Sequence, residues 1–392
     1  MVPEFYEFFC PVKIISGLQA LSNLPHEMEM LGAKKALVVT DKGVVGAGLM
    51  KHVEAAFEGS NCSLGAVFDE TPPDSSNKVV NSVAALYKEK GCDCFVAVGG
   101  GSCIDTAKGA NIVITEGTDD LMKFRGAERV KKPLKPFIVI PTTAGTGSEV
   151  TLVAVISNVD AGVKMAFTSD RLYPNVAILD PKMTMTMPPK ITAATGMDAL
   201  THAVEAYYCL QKNPVSDAFA IAAIKLIVDN LVKCVEDGKD EKARLAMANA
   251  SLLAGISFSN SMVGIVHAIA HAAGGVCHVP HGVANAILLP FGMENNLGKC
   301  ESAIAELAPW LAGVETVPGS TAERARASVK SVRDLAEKLN KLSGLPLRLR
   351  DAGVPEDKLA DIAKTAINDG ATVYNPEEVT YDVALDVLKK AF

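Results

Sequence analysis

The first half of the sequence is constrained most by four short runs rich in β-branched residues, separated by polar turns and helical patterns. The runs are KALVVTD (35–41), CFVAVGG (94–100), PFIVIP (136–141) and VAILD (176–180). Amphipathic stretches such as VVNSVAALYKEKG lie between the first of them. Strands that alternate with helices along a chain form a parallel sheet covered by helices. The sequence therefore predicts an α/β N-terminal domain with a parallel sheet.

The second half of the sequence has a different pattern. From about Met187, beginning with PPKITAATG, the pattern is helical nearly to the C-terminus, and Ala, Leu and Lys dominate. A chain of 392 residues is also longer than one ordinary hydrophobic core accommodates. We predict two domains, an α/β domain over residues 1–187 and an all-α C-terminal domain over residues 188–392.

Charge and cysteine usage exclude several classes of function. The net charge of −7 is mild, and the chain has no basic run that could neutralise phosphates, so we expect neither nucleic acid nor an anionic membrane as a partner. The N-terminal stretch carries Glu4 and Glu7 and lacks the basic start of a signal peptide. The nine cysteines have no regular spacing, which is typical of reduced thiols, and we expect a cytoplasmic protein.

One segment, residues 245–275, contains no Asp, Glu, Lys or Arg and is long enough to cross a bilayer. It also contains Asn, Ser and His side chains, which would need internal partners in lipid. We therefore interpret the segment as buried helix of the all-α domain.

A glycine-rich turn, GGGSCIDTAKG (99–109), directly follows CFVAV. Ligands of parallel sheets bind beyond the carboxyl ends of the strands, where glycine lets backbone approach a pyrophosphate and a helix N-terminus offers free N–H groups. Gly100, Gly101 and Ser102 are therefore candidate dinucleotide ligands. The GxGxxG spacing is incomplete because Ile104 stands at its last position, so a plain turn with Ser102 as helix cap remains open.

Two more polar stretches follow candidate strands. In PTTAGTGSE (141–149) the hydroxyls of Thr142, Thr143 and Thr146 suit a ribose or a phosphate. Asp41 ends KALVVTD, where a carboxylate can accept both ribose hydroxyls of an adenosine and repel a 2′-phosphate, which favours NAD over NADP. A solvated loop and an Asp that merely starts a turn are the open alternatives.

Histidine is concentrated in two apolar stretches, because five of the seven histidines lie between positions 202 and 281. Asp198 and His202 are spaced i, i+4 and so share a helical face, and His267 and His271 repeat this spacing. His281 follows later in the second stretch.

The chain between the second histidine pair and His281 contains Gly274-Gly275 and Pro280, where we expect the helix to break and the chain to return. Three imidazoles and one carboxylate form a nitrogen–oxygen site for Fe²⁺ or Zn²⁺, with an open position because no thiolate closes it. His271 and His278 are then left over, and a spare imidazole beside a metal can transfer protons. A histidine taken alone is more often a core or surface residue than a metal ligand, so the prediction rests on the concentration and the helical spacing of these residues.

Together these motifs resemble the iron-containing alcohol dehydrogenases. The similarity runs from FFCPVKIISG through GGGSCIDTAKG, PTTAGTGSEVT and ILDPKMTMTMPPKITAATGMDALTHAVEAY to HAIAHAAGGVCHVPHG. The resemblance implies a dinucleotide-binding domain (1–187), a helical metal-binding and catalytic domain (188–392), an active site in the cleft, and a homodimer or higher homo-oligomer.

The resemblance also implies a role for each residue that matches the family motifs. The implied metal ligands are Asp198, His202, His267 and His281, and the implied catalytic residue, for proton transfer or substrate positioning, is His271. The implied cofactor ligands are Gly100, Gly101 and Ser102 at the pyrophosphate, Asp41 at the adenosine ribose, Thr142, Thr143 and Thr146 along the cleft, and Lys164 near the nicotinamide ribose.

The sequence departs from the family pattern in two places. Many members have a PNP loop whose Asn contacts the cofactor, whereas the loop here reads TPPDSSN. Leu152 and Val153 follow GTGSEVT, where many members have a polar residue that faces the substrate. The sequence therefore does not identify one particular substrate.

These features predict a metal-dependent NAD(H) oxidoreductase that interconverts a small primary alcohol and its aldehyde, acting chiefly as a reductase of short aldehydes. The expected cofactors are NAD(H) and a divalent metal, Fe²⁺ foremost and Zn²⁺ as the alternative. A dehydroquinate synthase-like lyase and a glycerol dehydrogenase-like enzyme share the predicted architecture and remain open. A non-catalytic assembly subunit is an alternative of another class, against which four intact ligand positions argue.

Overall fold

The computed structural model describes residues 3–159 and 163–392. Contacts within the chain define two compact units, one spanning Cys10–Thr186 and the other Met187–Phe392 together with the N-terminal segment up to Phe9. The predicted first domain, residues 1–187, stays a prediction, and among the described residues this unit leaves out residues 3–9 and Met187. The Phe8 ring stacks on Phe219 at 5.7 Å between centroids, and the Phe9 N–H donates to Asn260 Oδ1 at 2.7 Å. These contacts attach the N-terminal segment to the helical unit.

A parallel sheet forms the centre of the first unit. The strands of the described residues are β1 (Lys13–Ser16), β2 (Lys35–Val39), β3 (Ser63–Phe68), β4 (Cys94–Gly99), β5 (Gly126–Ala127), β6 (Phe137–Pro141), β7 (Val153–Asn158), β8 (Val163–Thr168) and β9 (Val176–Leu179). The main sheet has the order β1-β9-β6-β4-β2-β3, and its neighbouring strands all pair in parallel. A smaller sheet has the order β5-β8-β7. The parallel α/β unit predicted from the sequence is confirmed.

Helices cover both faces of the main sheet. They are α1 (Leu24–Met30), α2 (Lys42–Gly46), α3 (Met50–Ala56), α4 (Asn77–Lys90) and α5 (Gly101–Glu116). Successive residues of a strand point to opposite faces, and accordingly Leu37 and Phe95 join one buried cluster while Val38 and Val96 join another. Burial on both faces explains why the sequences of the central strands are nearly continuous hydrophobic runs.

The second unit is helical over its described residues. Its helices are α6 (Pro189–Tyr208), α7 (Pro214–Glu236), α8 (Glu241–Ser259), α9 (Ile265–Cys277), α10 (His281–Glu306), α11 (Ala308–Ala312), α12 (Thr321–Ser343), α13 (Leu359–Ala366) and α14 (Tyr381–Ala391). Single 3₁₀ turns occur in both units at Ala20–Asn23, Leu121–Phe124, Ser148–Val150, Asp170–Leu172, Pro181–Met183, Arg350–Ala352, Glu356–Lys358 and Gly370–Tyr374.

The uncharged segment 245–275 is divided between α8 and α9, both of which bury residues in the helical unit. Among the described residues, no helix combines the length and the apolar character needed to cross a membrane.

The predicted helix break at Gly274-Gly275 is wrong. Helix α9 continues through both glycines to Cys277, because glycine inside a helix costs only about 1 kcal/mol relative to alanine. The helix ends at His278, whose φ of 57° lies in the left-handed region, and Pro280 then precedes the first residue of α10. The return of the chain toward His281 therefore begins at His278.

Candidate metal centre and nucleotide-binding turns

Four side chains of the helical unit converge on one point. Each of Asp198, His202, His267 and His281 offers one ligand atom, and these four atoms all lie within 4.8 Å of one another. Helix α6 supplies the carboxylate and the first imidazole, α9 supplies the second imidazole, and α10 supplies the third from its first residue. The structure thus brings together all four residues that the sequence suggested as metal ligands.

The approach of α10 to α6 depends on Gly282. A Cβ atom at this position would lie 2.7 Å from the Ala194 carbonyl oxygen and 3.4 Å from the Asp198 Cβ. Any larger residue would therefore push the two helices apart. Because the helices are so close, His281 Nε2 lies 3.5 Å from Asp198 Oδ1.

The histidine rings of the cluster lie close together in a largely buried site. The His202 and His267 ring centroids are 4.5 Å apart, and those of His267 and His281 are 5.4 Å apart. Burial, and then the neighbouring histidines, hold the pKa of His267 well below its ordinary value. A neutral imidazole is the form that binds a metal.

The donor set fits a divalent cation. Three imidazole nitrogens and one carboxylate oxygen are the ligands that Fe²⁺ and Zn²⁺ share, and four protein donors leave room for a substrate atom when coordination expands beyond four. A buried cation would also be compensated by the carboxylate in the cluster, since Asp198 is only 2% exposed.

Glu205 is a further residue of the site, and sequence reasoning missed it. Its Oε2 lies 2.6 Å from His267 Nδ1, and its two oxygens accept the backbone N–H groups of Val266 at 2.9 Å and His267 at 3.3 Å. A carboxylate on Nδ1 fixes the proton there and leaves Nε2 as the ligand atom. Burial raises the pKa of Glu205, while the backbone N–H donors at the start of α9 lower it. The sequence does contain a signal for Glu205. It lies seven residues after Asp198, and this spacing places both carboxylates on the same face of α6.

Asn285 was also missed. It is fully buried one turn after His281, and its Nδ2 donates to Asp198 Oδ1 at 2.6 Å. The same nitrogen lies 3.1 Å from His281 Nε2 and 3.2 Å from His267 Nε2. Asn285 therefore ties the carboxylate on α6 to the helix that carries the third imidazole.

His271 lies at the edge of the cluster. Its ring stacks on that of His281 with centroids 5.2 Å apart, and its side chain is 44% exposed. His271 Nδ1 lies 2.9 Å from Asp369 Oδ2. Burial by itself raises the pKa of Asp369, but the hydrogen bond and charge of His271, together with the Ala371 N–H and the charge of His281, hold that pKa below its ordinary value. Asp369 is 98 residues away along the chain, and no sequence signal pointed to it.

The two predicted nucleotide-binding turns are neighbours in the first unit. Strands β4 and β6 pair so that Gly99 lies opposite Pro141, and the Thr142 N–H donates to the Gly99 carbonyl at 3.0 Å. A Cβ at Gly100 would lie 3.3 Å from Thr143 Oγ1, and a Cβ at Gly101 would lie 3.2 Å from Thr146 Cγ2. The glycines and the threonine side chains therefore lie against one another and form a cradle of small residues, which fits the close approach of a pyrophosphate.

The sheet topology adds a reason for a ligand at this edge. The chain passes from β2 to β3 on one side and then returns to β4 on the other side of β2. Such a reversal of strand order opens a crevice at the carboxyl ends of the strands, where ligands of open α/β sheets bind. Asp41 follows β2 and the glycine turn follows β4, so both lie at the reversal.

Asp41 has partners within the protein. Its Oδ1 caps α2 by accepting the Val44 N–H at 2.9 Å, where the alternative interpretation from sequence expected only the start of a turn, and its Oδ2 accepts the Cys103 S–H at 3.3 Å. A carboxylate can accept about four hydrogen bonds, so these contacts leave capacity for ribose hydroxyls. Recognition of the ribose by Asp41 stays a prediction.

Ser102 does not cap α5, because the N-cap position is occupied by Gly100. The Ser102 hydroxyl instead donates to the carbonyl of Pro73. Lys164 forms an ion pair with Asp74, with 2.7 Å between Nζ and Oδ1, and both side chains are well exposed. Both contacts reach the TPPDSSN loop, in which the sequence departs from the family pattern.

Comparison with known proteins gives matches along nearly the whole chain. A family profile described as iron-containing alcohol dehydrogenase matches residues 11–181, and the C-terminal profile of the Fe-containing alcohol dehydrogenase family matches residues 192–392. An NAD-dependent methanol dehydrogenase of Bacillus methanolicus is 38% identical over 385 residues, which cover 98% of this chain and 99% of the relative. A 1,3-propanediol dehydrogenase of Citrobacter freundii is 39% identical over 392 residues, which cover 99% of each. The solved structure of a 1,3-propanediol oxidoreductase superposes with a TM-score of 0.95 at 38% identity, covering 99% of this chain and 100% of that one.

Proposed function

Because the chain belongs to the iron-containing alcohol dehydrogenase family, we propose that it is an NAD-dependent dehydrogenase that interconverts a small primary alcohol and its aldehyde. The observation that carries the proposal is the convergence of three imidazoles and one carboxylate within 4.8 Å. The names of the relatives, which specify methanol and 1,3-propanediol, support a short alcohol as substrate. Reduction of a short aldehyde is the principal direction that we propose.

Asp198, His202, His267 and His281 would hold the metal, with Fe²⁺ proposed first and Zn²⁺ second. When bound, the cation polarises the substrate oxygen as a Lewis acid, and NAD accepts or returns the hydride. Glu205 keeps the proton of His267 on Nδ1, and Asn285 restrains the Asp198 carboxylate. These two contacts fix the direction of the ligand atoms before the cation arrives.

His271 is the group that we propose for proton transfer. Asp369 accepts a hydrogen bond from Nδ1–H of His271, which leaves Nε2 as the proton-accepting atom. In alcohol oxidation Nε2 would take the proton of the substrate hydroxyl, and in aldehyde reduction the protonated ring would return it.

The first unit would bind NAD at the carboxyl ends of β2, β4 and β6. Gly100, Gly101 and Ser102 would lie at the pyrophosphate, and Thr142, Thr143 and Thr146 would line the site beside it. Asp41 would contact the adenosine ribose, and Lys164 the nicotinamide ribose. A homodimer or higher homo-oligomer also stays a prediction, and light scattering measures the oligomeric state.

The proposal is tested with metal-stripped protein supplied with Fe²⁺ under anaerobic conditions or with Zn²⁺. Methanol, ethanol, 1,3-propanediol and the matching aldehydes are offered in turn, and NADH absorbance is followed in both directions. We expect metal-dependent turnover of at least one short alcohol–aldehyde pair. Absence of any NADH change in protein that demonstrably contains both metal and cofactor contradicts the proposal.

Glu205→Gln is expected to weaken metal binding by about tenfold to a hundredfold, the usual effect of losing a carboxylate behind a histidine ligand. The amide keeps the size of the side chain, but it places an NH₂ group opposite backbone N–H donors or opposite the His267 ring. Competition with a chelator measures the affinity. The matched control is Glu306→Gln, because Glu306 accepts the Tyr207 hydroxyl at 2.8 Å and touches no proposed ligand. Equal losses in both variants would show that Glu205 has only a structural role.

Asp41→Asn is expected to shift the ratio of kcat/KM for NAD over NADP toward NADP by about tenfold, or roughly 1.4 kcal/mol. Asparagine can still cap α2, so the change removes chiefly the negative charge that repels a 2′-phosphate. The control is Asp93→Asn, whose carboxylate accepts the Lys34 and Lys35 N–H groups at the opposite end of the sheet. An unchanged cofactor ratio in Asp41→Asn removes this residue from the proposed ribose site.

A further inference from the structure

A fully buried lysine lies behind the nucleotide-binding turns. Lys108 on α5 is 0% exposed, and its Nζ lies 3.0 Å from the Ser148 carbonyl, 2.8 Å from the Thr151 and Val153 carbonyls, and 3.1 Å from Thr151 Oγ1. The three carbonyls can only accept hydrogen bonds, and a neutral amine has only two N–H groups to give. The contacts therefore require the ammonium form, with three donors.

Two carboxylates act electrostatically on this cation. Asp105, one turn earlier on α5, accepts the Val155 N–H at 2.9 Å, and Glu149 is 2% exposed. Burial lowers the pKa of Lys108, and the charges of Asp105 and Glu149 oppose that effect. These two negative charges partly compensate the charge of the buried lysine, which would be very unfavourable without compensation.

The contacts of Lys108 connect the two turns of the predicted dinucleotide site. Helix α5 begins at Gly101, immediately after the glycine turn, and Lys108 lies two helical turns further on. The carbonyls that it holds belong to the segment 148–153, which directly follows the turn containing Thr142, Thr143 and Thr146. Lys108 therefore attaches the segment 148–153, which follows one turn, to the helix that begins at the other turn, and Asp105 attaches Val155 to the same helix.

The packing of α5 also limits the distance between the two turns. A Cβ at Gly109 would lie 2.5 Å from Ile156 Cδ1 and 2.9 Å from Val80 Cγ2, so the helix lies directly against β7 and α4. Apolar contacts of this kind tolerate small sliding, whereas three directed hydrogen bonds from one ammonium group to three carbonyls do not. The hydrogen bonds of the lysine therefore fix the segment 148–153 relative to α5, which packing alone does not.

We propose that Lys108 is a positioning residue for the dinucleotide: through the carbonyls of residues 148–153, it sets the distance between the turn at Gly100–Ser102 and the turn at Thr142–Thr146. This inference rests on the proposed function, because it assumes that NAD(H) binds at those turns. The lysine itself does not touch the cofactor in this proposal.

The test compares Lys108→Met with Asn111→Leu. Methionine fills the volume of the lysine chain without donating hydrogen bonds. Asn111 is also fully buried on α5, one turn later, but it bonds to the backbone of Lys135 rather than to the segment 148–153. Both variants lose buried polar contacts of the same helix, so the control separates general destabilisation from displacement of the turns.

We expect Lys108→Met to raise the dissociation constant of NADH, measured by fluorescence, by about tenfold, which corresponds to a loss of roughly 1.4 kcal/mol of binding. The KM for NAD should rise with it, while kcat at saturating NAD and the metal content change little. Asn111→Leu should lower Tm to a similar extent without changing NADH affinity. Equal NADH affinity in wild type and Lys108→Met overturns the inference, as does an equal loss of affinity in Asn111→Leu.

If Lys108→Met does not fold, a second variant tests the positioning role of Lys108. Thr151→Val keeps the shape of Thr151 and removes one of the four oxygens around Nζ, and a rise in the NADH dissociation constant of about threefold is expected. No change in affinity for this variant overturns the inference. Failure of the wild-type protein to bind NADH at all would instead contradict the proposed function, so the two failures are distinguishable.

Discussion

His267→Ala is expected to abolish metal retention and to reduce turnover by at least about a thousandfold, because the Lewis-acid contribution to catalysis is worth several kcal/mol. His267 is the central imidazole of the cluster, since its ring lies next to those of both His202 and His281. Its removal leaves three donors for the cation. The measurements are metal content by elemental analysis and kcat with the best alcohol of the substrate panel.

The substitution should also lower the stability of the metal-free protein. Glu205 is fully buried, and its shortest hydrogen bond is the one to His267 Nδ1 at 2.6 Å. Without the imidazole, the carboxylate retains backbone donors but loses its side-chain partner, at a cost of about 1–3 kcal/mol. We therefore expect a lower Tm for His267→Ala even when no metal is present.

The control for this prediction is His278→Ala. His278 belongs to the same histidine-rich segment, but it ends α9 and is not part of the four-residue cluster. This variant should bind metal and turn over like the wild type. A metal-replete and fully active His267→Ala protein would refute the assignment of His267 as a ligand.

The central strands of the fold were predictable because each carries its signal within its own residues. Strands β2, β4, β6 and β9 are buried on both faces and therefore carry continuous hydrophobic runs. Other strands were not identified because they are less buried and lack such a run. Strand β1 is short and mostly exposed, and β3 is only partly buried, so neither shows a strong hydrophobic signal.

The candidate metal centre was predictable to the extent that its spacing is helical. The i, i+4 pair Asp198 and His202 shares one face of α6, and His267 was recognised from the same spacing on α9. The residues behind the ligands require tertiary structure. Asp369 reaches His271 from 98 residues away, and nothing in its local sequence distinguishes it from a surface carboxylate.

The interpretation of Gly274-Gly275 shows how a local rule gave an incorrect helix boundary. Glycine is a frequent helix terminator, but its helix penalty is modest, and here the helix continues through both glycines to Cys277. The glycine that matters for the site is Gly282, where a side chain would collide with the backbone at Ala194. That requirement depends on how α6 and α10 pack, which the sequence pattern does not specify.

His271→Ala is expected to leave metal content unchanged and to lower kcat by about a hundredfold to ten-thousandfold, the range contributed by general acid–base groups. His271 lies against the His281 ring but outside the four-residue cluster, so the ligands stay in place. The chemical step would lose the group that exchanges a proton with the substrate oxygen. Steady-state kcat and metal content are measured on the same preparation.

Two further measurements separate a proton-transfer role from a packing role. Imidazole added in solution should partly restore kcat in His271→Ala, because it supplies the missing base without restoring the side chain. Asp369→Asn should lower kcat less than His271→Ala, because an amide oxygen still accepts from Nδ1 while the negative charge that holds the proton on that atom is lost. Loss of metal in His271→Ala would identify His271 as a ligand. An unchanged kcat would mean that the substrate proton leaves by another route, for which an ordered water or the ribose hydroxyls of the cofactor are the chemically competent groups.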